Sequence, residues 1–306
     1  MYKKFQPFFL IVETPLHAGS GSELGVLDLP IQRERYTNFP KIEGSSLKGA
    51  IREAFETTQN GADIISLVFG PEDGDIYAGA IGFTDAKVLC FPVKSLRGVF
   101  AWVTCPMVLN RFIEDMHMSG QEELIDNWDL SNVTNTVSKG SQALISDKIV
   151  LEEFTFQVRE SDMTTKIANA LSEFVFPGDA VYAYWKEKMK KDLVILSDED
   201  FEDFVSTSTE VITRTRISNE TGTVETGALW TEEFLPQDTI LYSIAMATPV
   251  RAEPSKKNEL LGDTSDKEAE NVIEFFKKGM PKVINIGGDQ TIGKGIVRTK
   301  LLGGLQ

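Results

Sequence analysis

Apolar residues along this chain fall into short runs separated by glycine, proline and polar clusters. Residues 8–14 form one such run, rich in Phe, Leu, Ile and Val, and its length and residue types predict a buried strand. A Gly/Ser-rich loop, HAGSGSELG, follows, and then an extended stretch containing proline as far as Pro40. Ser45 or Ser46 can cap a helix through about Glu56, with Leu47, Ile51, Ala54 and Phe55 on its apolar face. Residues 78–93 and 98–104 predict strands. The segment PMVLNRFIEDMHM predicts a helix with Pro106 in its first turn.

Strands are expected within residues 143–158, and helices near 163–174, 180–191 and 198–205. Residues 211–235, VITRTRISNETGTVETGALWTEEFL, differ from the rest. They alternate Thr and Val with polar residues around a Glu-Thr-Gly turn, and no contiguous apolar set would hold them in a core. That is the pattern of a projecting hairpin. A strand at 239–247, a polar loop leading into a helix that ends at Gly279, and strands at 282–286 and 295–302 complete the chain. No internal repeat is visible. Mixed strands and helices without regular βαβ alternation predict an α+β fold with insertions.

Charge changes this picture more than composition does. The chain has 306 residues, 42% of them hydrophobic, which suits one large or two modest domains. No run is long enough to span a bilayer, and the N-terminus reads as a first strand rather than a signal peptide. The two cysteines, Cys90 and Cys105, lack metal or framework spacing, which fits a reduced, cytoplasmic setting. The net charge of −15 is concentrated: residues 114–210 carry 21 acidic and 8 basic side chains, a balance of −13, leaving −2 elsewhere. Residues 280–306 are net positive through Lys282, Lys294, Arg298 and Lys300 against Asp289. A uniformly basic nucleic-acid binder is excluded, but a local polyanion site is not.

Three stretches could carry chemistry. PKIEGSSLKGAIREAF opens a helix whose free amides suit a phosphate, with Lys48 and Arg52 four apart on one face. The same pattern describes a capped surface helix with two solvated cations. NIGGDQTIGKGIV approaches a P-loop, but Gly295 stands where Ser or Thr would hold magnesium, and IVRTKLL alternates like a strand. The nucleotidase reading therefore fails, leaving either a plain strand connection or a glycine turn that admits another backbone beside Lys294. His17 lies in the polar loop and Asp28 in GVLDLPIQRER, beside Arg33 and Arg35. Asp28 could bind a divalent ion or accept a ribose hydroxyl proton, or be a loop carboxylate paired with arginine.

Together these stretches resemble the RAMP superfamily of CRISPR systems. The resemblance rests on His17-Ala18-Gly19, on P-x-I-x-G-S-S-L-K-G-x-x-R from Pro40 to Arg52, and on G-G-x-x-T-x-G-K-G from Gly287 to Gly295. LDLPIQRE, VFGPED, PVKSLRGVFAWVTCP and GALWTEEFLP narrow it to the fourth-subunit family of type III-B (Cmr) effector complexes, over nearly the whole chain. The resemblance implies a single RAMP-type domain over 1–306. Its core would be RRM-like (ferredoxin-like), with an acidic, largely helical insertion at about 114–210 and a thumb hairpin at about 211–235. It also implies that copies stack as a helical filament along one CRISPR RNA, beside other Cmr subunits and without membrane contact, and cut complementary target RNA at regular intervals. By the same carry-over Asp28 is the cleavage aspartate and the ligand of a weakly bound divalent ion, Mg or Mn. His17 and one of Glu232 or Glu233 are candidate helpers, with the choice between the glutamates open. Candidate RNA contacts are Ser45, Ser46, Lys48, Arg52, Arg214, Arg216, Gly288 and Lys294. A non-cutting guide scaffold and the equivalent type III-A subunit are the alternatives.

Overall fold

The computed structural model describes residues 1–22, 27–58, 61–71, 77–218 and 220–304. The end of HAGSGSELG, with Val26 just after it, and the acidic end of VFGPED lie outside the described residues. In chain order, β1 (Lys4–Val12) and β2 (Lys41–Ile42) precede α1 (Gly44–Thr58) and α2 (Ala62–Phe69). Next come β3 (Ile81–Phe83), β4 (Ala86–Lys94), β5 (Phe100–Thr104) and α3 (Pro106–Met118). The acidic middle contributes β6 (Thr136–Ser138), β7 (Lys148–Leu151), β8 (Phe154–Gln157) and β9 (Arg159–Ser161). After them it adds α4 (Asp162–Val175), α5 (Ala183–Asp192), β10 (Leu193–Ile195) and α6 (Asp198–Thr207). Then follow β11 (Glu210–Ile217), β12 (Val224–Phe234), β13 (Ile240–Ala247), α7 (Ser265–Gly279), β14 (Val283–Asn285) and β15 (Ile296–Leu301). The fold is α+β, as the pattern predicts.

One large mixed sheet runs β14-β15-β1-β13-β4-β5-β10-β6-β9, with β2 pairing on β4 and β3 on β13. β1 sits at its heart, antiparallel to both β13 and β15, so Phe8 opposes Ser243 on one side and Leu301 on the other. A strand buried on both faces needs a nearly continuous apolar run, which is what the sequence supplies there. Phe8 and Phe9 point to opposite faces. Phe8 meets Phe83 and, at 5.8 Å between ring centroids, Phe276 of α7, while Phe9 meets Phe112 of α3. Phe55 of α1 packs between Phe69 of α2 and Phe276. Helices thus cover both faces, and each fully buried Phe contributes roughly 2–3 kcal/mol of transfer free energy.

The strand expected over 78–93 is divided. Thr84 and Asp85 interrupt it because their side chains serve other partners: Thr84 Oγ1 accepts from the Ile244 amide, and Asp85 accepts from the Gly44 amide and pairs with Lys41. Asp85 therefore fixes the start of α1. α2 was not foreseen, since ADIISLVF is only eight residues long and apolar at six of them, a run that suits a buried strand as well as a helix. In the acidic middle, β10 pairs in parallel with β5 and extends the large sheet through β6 and β9. Over this extension Trp102 packs against Phe176 and Trp185. Cys90 and Cys105 are both buried and free. Among the described residues no helix is long and apolar enough to cross a membrane.

β11 and β12 form a separate two-stranded antiparallel sheet. Val211, Ile217, Val224 and Leu229 along it are exposed, whereas Phe234 and Leu235 at its root are fully buried. The root joins the core through the buried Phe234 and Leu235.

Candidate active site at the hairpin root

Pairing within the hairpin sorts its side chains onto two faces. Ile212 opposes Glu232 and Arg214 opposes Trp230, so Arg214, Glu232 and Phe234 share one face, with Thr231 and Glu233 on the other. The outer edge of β12 is occupied by the segment that precedes α1. Leu16 pairs antiparallel with Leu235, and Leu29 pairs in parallel beside Glu232. The Leu29 amide donates to the Thr231 carbonyl, and the Glu233 amide donates to Leu29.

This pairing brings Asp28 against Thr231. Asp28 Oδ2 accepts from the Thr231 amide at 2.7 Å and from its hydroxyl at 2.9 Å. The Asp28 amide returns a bond to Thr231 Oγ1 at 3.0 Å. The backbone and hydroxyl donors of Thr231 hold the exposed carboxyl below the usual carboxylate range, and no described residue bonds Oδ1. An arginine partner for Asp28 does not form; Arg33 turns instead to Glu233.

On the other face, His17 is 9% exposed and its Nδ1 lies 2.7 Å from the Glu233 carbonyl oxygen. That oxygen can only accept, so Nδ1 carries the proton and Nε2 is left facing Glu232 Oε1 at 3.9 Å. Glu232 Oε2 accepts from Arg214 Nε at 2.9 Å, and Arg214 Nη2 donates to Asp289 at 2.7 Å. Lys294 lies with its ammonium 5.0 Å from the Phe234 ring centroid. The glycine turn closes over the same loop: the Gly288 amide donates to the His17 carbonyl. At Gly287, with φ of 83°, any side chain would run into that carbonyl.

Glu232 and Glu233 are therefore separated by environment. Glu233 is 1% exposed, accepts from Arg33 and Thr209 on Oε1 and from the Ile31 amide on Oε2, and binds the 28–33 segment to the hairpin. Glu232 faces His17. Elsewhere, Ser45 and Ser46 are exposed in the first turn of α1. Lys48 is half-buried, and its ammonium donates to the Ile81 carbonyl. Burial first, and then the Arg52 charge, hold its pKa below the ordinary lysine value. Arg52 donates to the Gly70 carbonyl and to Glu56. Arg216 is exposed, with a 3.8 Å contact to Glu225. The structure thus brings His17, Glu232, Arg214, Gly288 and Lys294 together and puts Asp28 at the edge of the same strand. Lys48 and Arg52 are tied to the protein itself.

A family model described as "RAMP superfamily" matches residues 9–298. The chain belongs to the RAMP superfamily. This RAMP chain is 39% identical over 293 residues to a Pyrococcus furiosus protein, "CRISPR system Cmr endoribonuclease Cmr4", covering 94% of this chain and 92% of that one. It is 27% identical over 321 residues to the "CRISPR system CMR subunit Cmr4" of Saccharolobus solfataricus, covering 98% and 97% of the two. The crystal structure of oligomeric Cmr4 from Pyrococcus furiosus matches with a TM-score of 0.70 at 31% identity, covering 97% and 98%.

A divalent ion is the one cofactor the RAMP sequence suggests. Among the described residues no group of three or more His, Cys, Asp or Glu could hold a metal. Asp28 offers one uncommitted, exposed carboxylate oxygen, which suits an ion that takes one protein ligand and completes its shell with water and substrate phosphate. The sequence offers Arg33 only as a partner for Asp28 and does not single out Thr231 or Asp289. The alternation of β12 could have flagged Thr231, because it shares a face with Glu233 and adjoins Glu232. Nothing local marks the observed pairing of Arg33 or Asp289, whose partners are far along the chain.

Proposed function

We propose that this RAMP chain is a CRISPR-RNA-binding backbone subunit of a type III-B effector complex and the endoribonuclease that cuts complementary target RNA. The observation that carries this reading is the 39% identity, over nearly the full length of both chains, to a protein named as the Cmr endoribonuclease. Asp28 at the hairpin root is the residue assigned to cutting.

The core is read as RRM-like. In support, the chain order β1-α1-β4-β13-α7-β15 has its strands side by side as β15-β1-β13-β4, the ferredoxin-like arrangement. The acidic middle and the hairpin are then insertions between the second and third core strands of one domain. The hairpin is read as a thumb that crosses guide and target. Copies would stack head to tail, and such an interface leaves its ends open and generates a helical filament. The oligomeric state in the name of the Pyrococcus furiosus crystal structure supports self-association. Guide RNA would be held through its backbone at the exposed Ser45 and Ser46 turn and at the Gly288–Lys294 turn, leaving bases free to pair. Lys48 and Arg52 would act by holding α1 in place, and Arg214 by fixing Glu232.

In the reaction, a target ribose 2′-oxygen bonds to the adjacent phosphorus while the bond from phosphorus to the 5′-oxygen breaks. The hydroxyl proton leaves to solvent, the 5′-oxygen takes one up, and the ends are a cyclic phosphate and a 5′-hydroxyl. Asp28, held below the usual carboxylate range, is a poor proton acceptor but stays charged, which suits accepting a hydroxyl hydrogen bond or holding a cation through Oδ1. A divalent ion bound there would neutralise charge on the phosphate. His17 presents Nε2 beside Glu232 and is the candidate ring for proton transfer.

The test maps cuts made by the guide-loaded protein on a complementary RNA. Regularly spaced cuts that end in cyclic phosphate, and that vanish where a single 2′-deoxy sugar precedes the broken bond, are expected. Tight binding of guide and target without any cut would leave a scaffold subunit and remove the nuclease assignment.

A further inference from the structure

Asp28 is held by a single residue of another element. Three bonds join it to Thr231: two donors of Thr231, its amide and its hydroxyl, converge on Oδ2, and the Asp28 amide donates to the same hydroxyl oxygen. One hydroxyl can do both. Its single hydrogen goes to Oδ2, while an oxygen lone pair accepts the Asp28 amide. The arrangement fills Oδ2 with two donors and presents Oδ1 outward. The flanking main-chain bonds of Leu29 to the Thr231 carbonyl and of Glu233 to Leu29 hold the segment in register with β12.

From this we infer that Thr231 is the positioning residue for the cleaving carboxylate, setting both which oxygen faces the substrate and where it stands relative to the hairpin. The inference rests on the reading of Asp28 as the cutting group. A carboxylate held by two donors on one oxygen cannot rotate freely about its terminal bond, so Oδ1 meets the target in one orientation. Because Thr231 belongs to β12, the carboxylate is carried by the hairpin itself. An RNA that engages the hairpin is thereby registered against Oδ1.

The test compares Thr231→Val, Thr231→Ser and Asp28→Ala in the guide-loaded full-length protein. Single-turnover cleavage is measured on a labelled complementary RNA, and binding on the same RNA with 2′-deoxy sugars at the cut positions. Valine keeps the shape, the amide bond and strong strand preference, but removes the two hydroxyl bonds to Asp28. Thr231→Val should bind target as wild type does and cut about 10- to 100-fold more slowly, the scale of loss expected when a reacting group is misplaced by about an ångström. Thr231→Ser, which restores the hydroxyl, should recover most of the rate. Wild-type cutting by Thr231→Val while Asp28→Ala is dead would overturn the inference alone. Equal losses in the serine and valine variants would overturn it as well. Undiminished cutting by Asp28→Ala would remove the functional reading beneath it.

Discussion

Neighbouring glutamates 232 and 233 differ in partner rather than in chemistry. Both are buried, but Glu233 is bonded to Arg33, Thr209 and the Ile31 amide, whereas Glu232 shares Arg214 and faces His17. Removing one member of a buried ion pair leaves the other charge uncompensated. Glu233→Ala should therefore lower unfolding stability by about 3 kcal/mol in a urea titration. Glu232→Gln should stay within about 1 kcal/mol of wild type in the same titration while slowing target cleavage. The sequence could not separate the two, because adjacent strand residues differ only in face, and the face is set by register with a distant strand. Lys48 gives the same lesson: its spacing from Arg52 marks a cationic helix face, but Ile81, far along the chain, supplies the carbonyl it binds. Lys294→Ala should flatten the salt dependence of guide binding by about one counterion. Lys48→Met should leave that slope unchanged and act on stability.

Elements with a clear period were readable in advance, and elements defined by tertiary partners were not. The hairpin at β11 and β12 follows from alternation without an apolar stripe, and α3 from Pro106 at its first position. α2 is short and has only Asp63 and Ser66 as polar positions, too brief a period to tell helix from buried strand, and the break between β3 and β4 exists because Asp85 is needed at the start of α1. The junction between the hairpin and β13 holds Asp238, at φ of 70°, where burial and the nearby Glu13 charge raise its pKa to about 6. The raised folded value means that the native state loses stability on this account as pH rises from near 4 to near 6, and the penalty stays constant above that. Asp238→Asn, which tolerates that backbone conformation, should stabilise the protein at pH 7.5 by about 1 kcal/mol once partial exposure is allowed for. The gain should shrink steadily as unfolding is measured at pH 5 and then pH 4.

At the scale of the whole molecule, the net charge of −15 argues only weakly against a polyanion site, because most of the acid lies in one stretch of the chain and leaves the proposed guide-binding turns outside it. The α+β class was legible from mixed periods, but the strand order was not. β1 is paired with β13 and β15, both more than two hundred residues away, and local pattern carries no information about such pairing. The candidate site has the same origin: residues 17, 28, 214, 232 and 294 meet only when the pre-α1 segment lies along the hairpin root and the glycine turn closes on His17. In the proposed function the fold is a scaffold that grips a guide and sets one carboxylate beside the paired target. The most direct test of that proposal is single-turnover cleavage by the Asp28→Ala protein loaded with guide RNA. The expected result is normal guide and target binding, with cleavage reduced by at least about 100-fold at every regular position. Cuts at the wild-type positions and rate would contradict it.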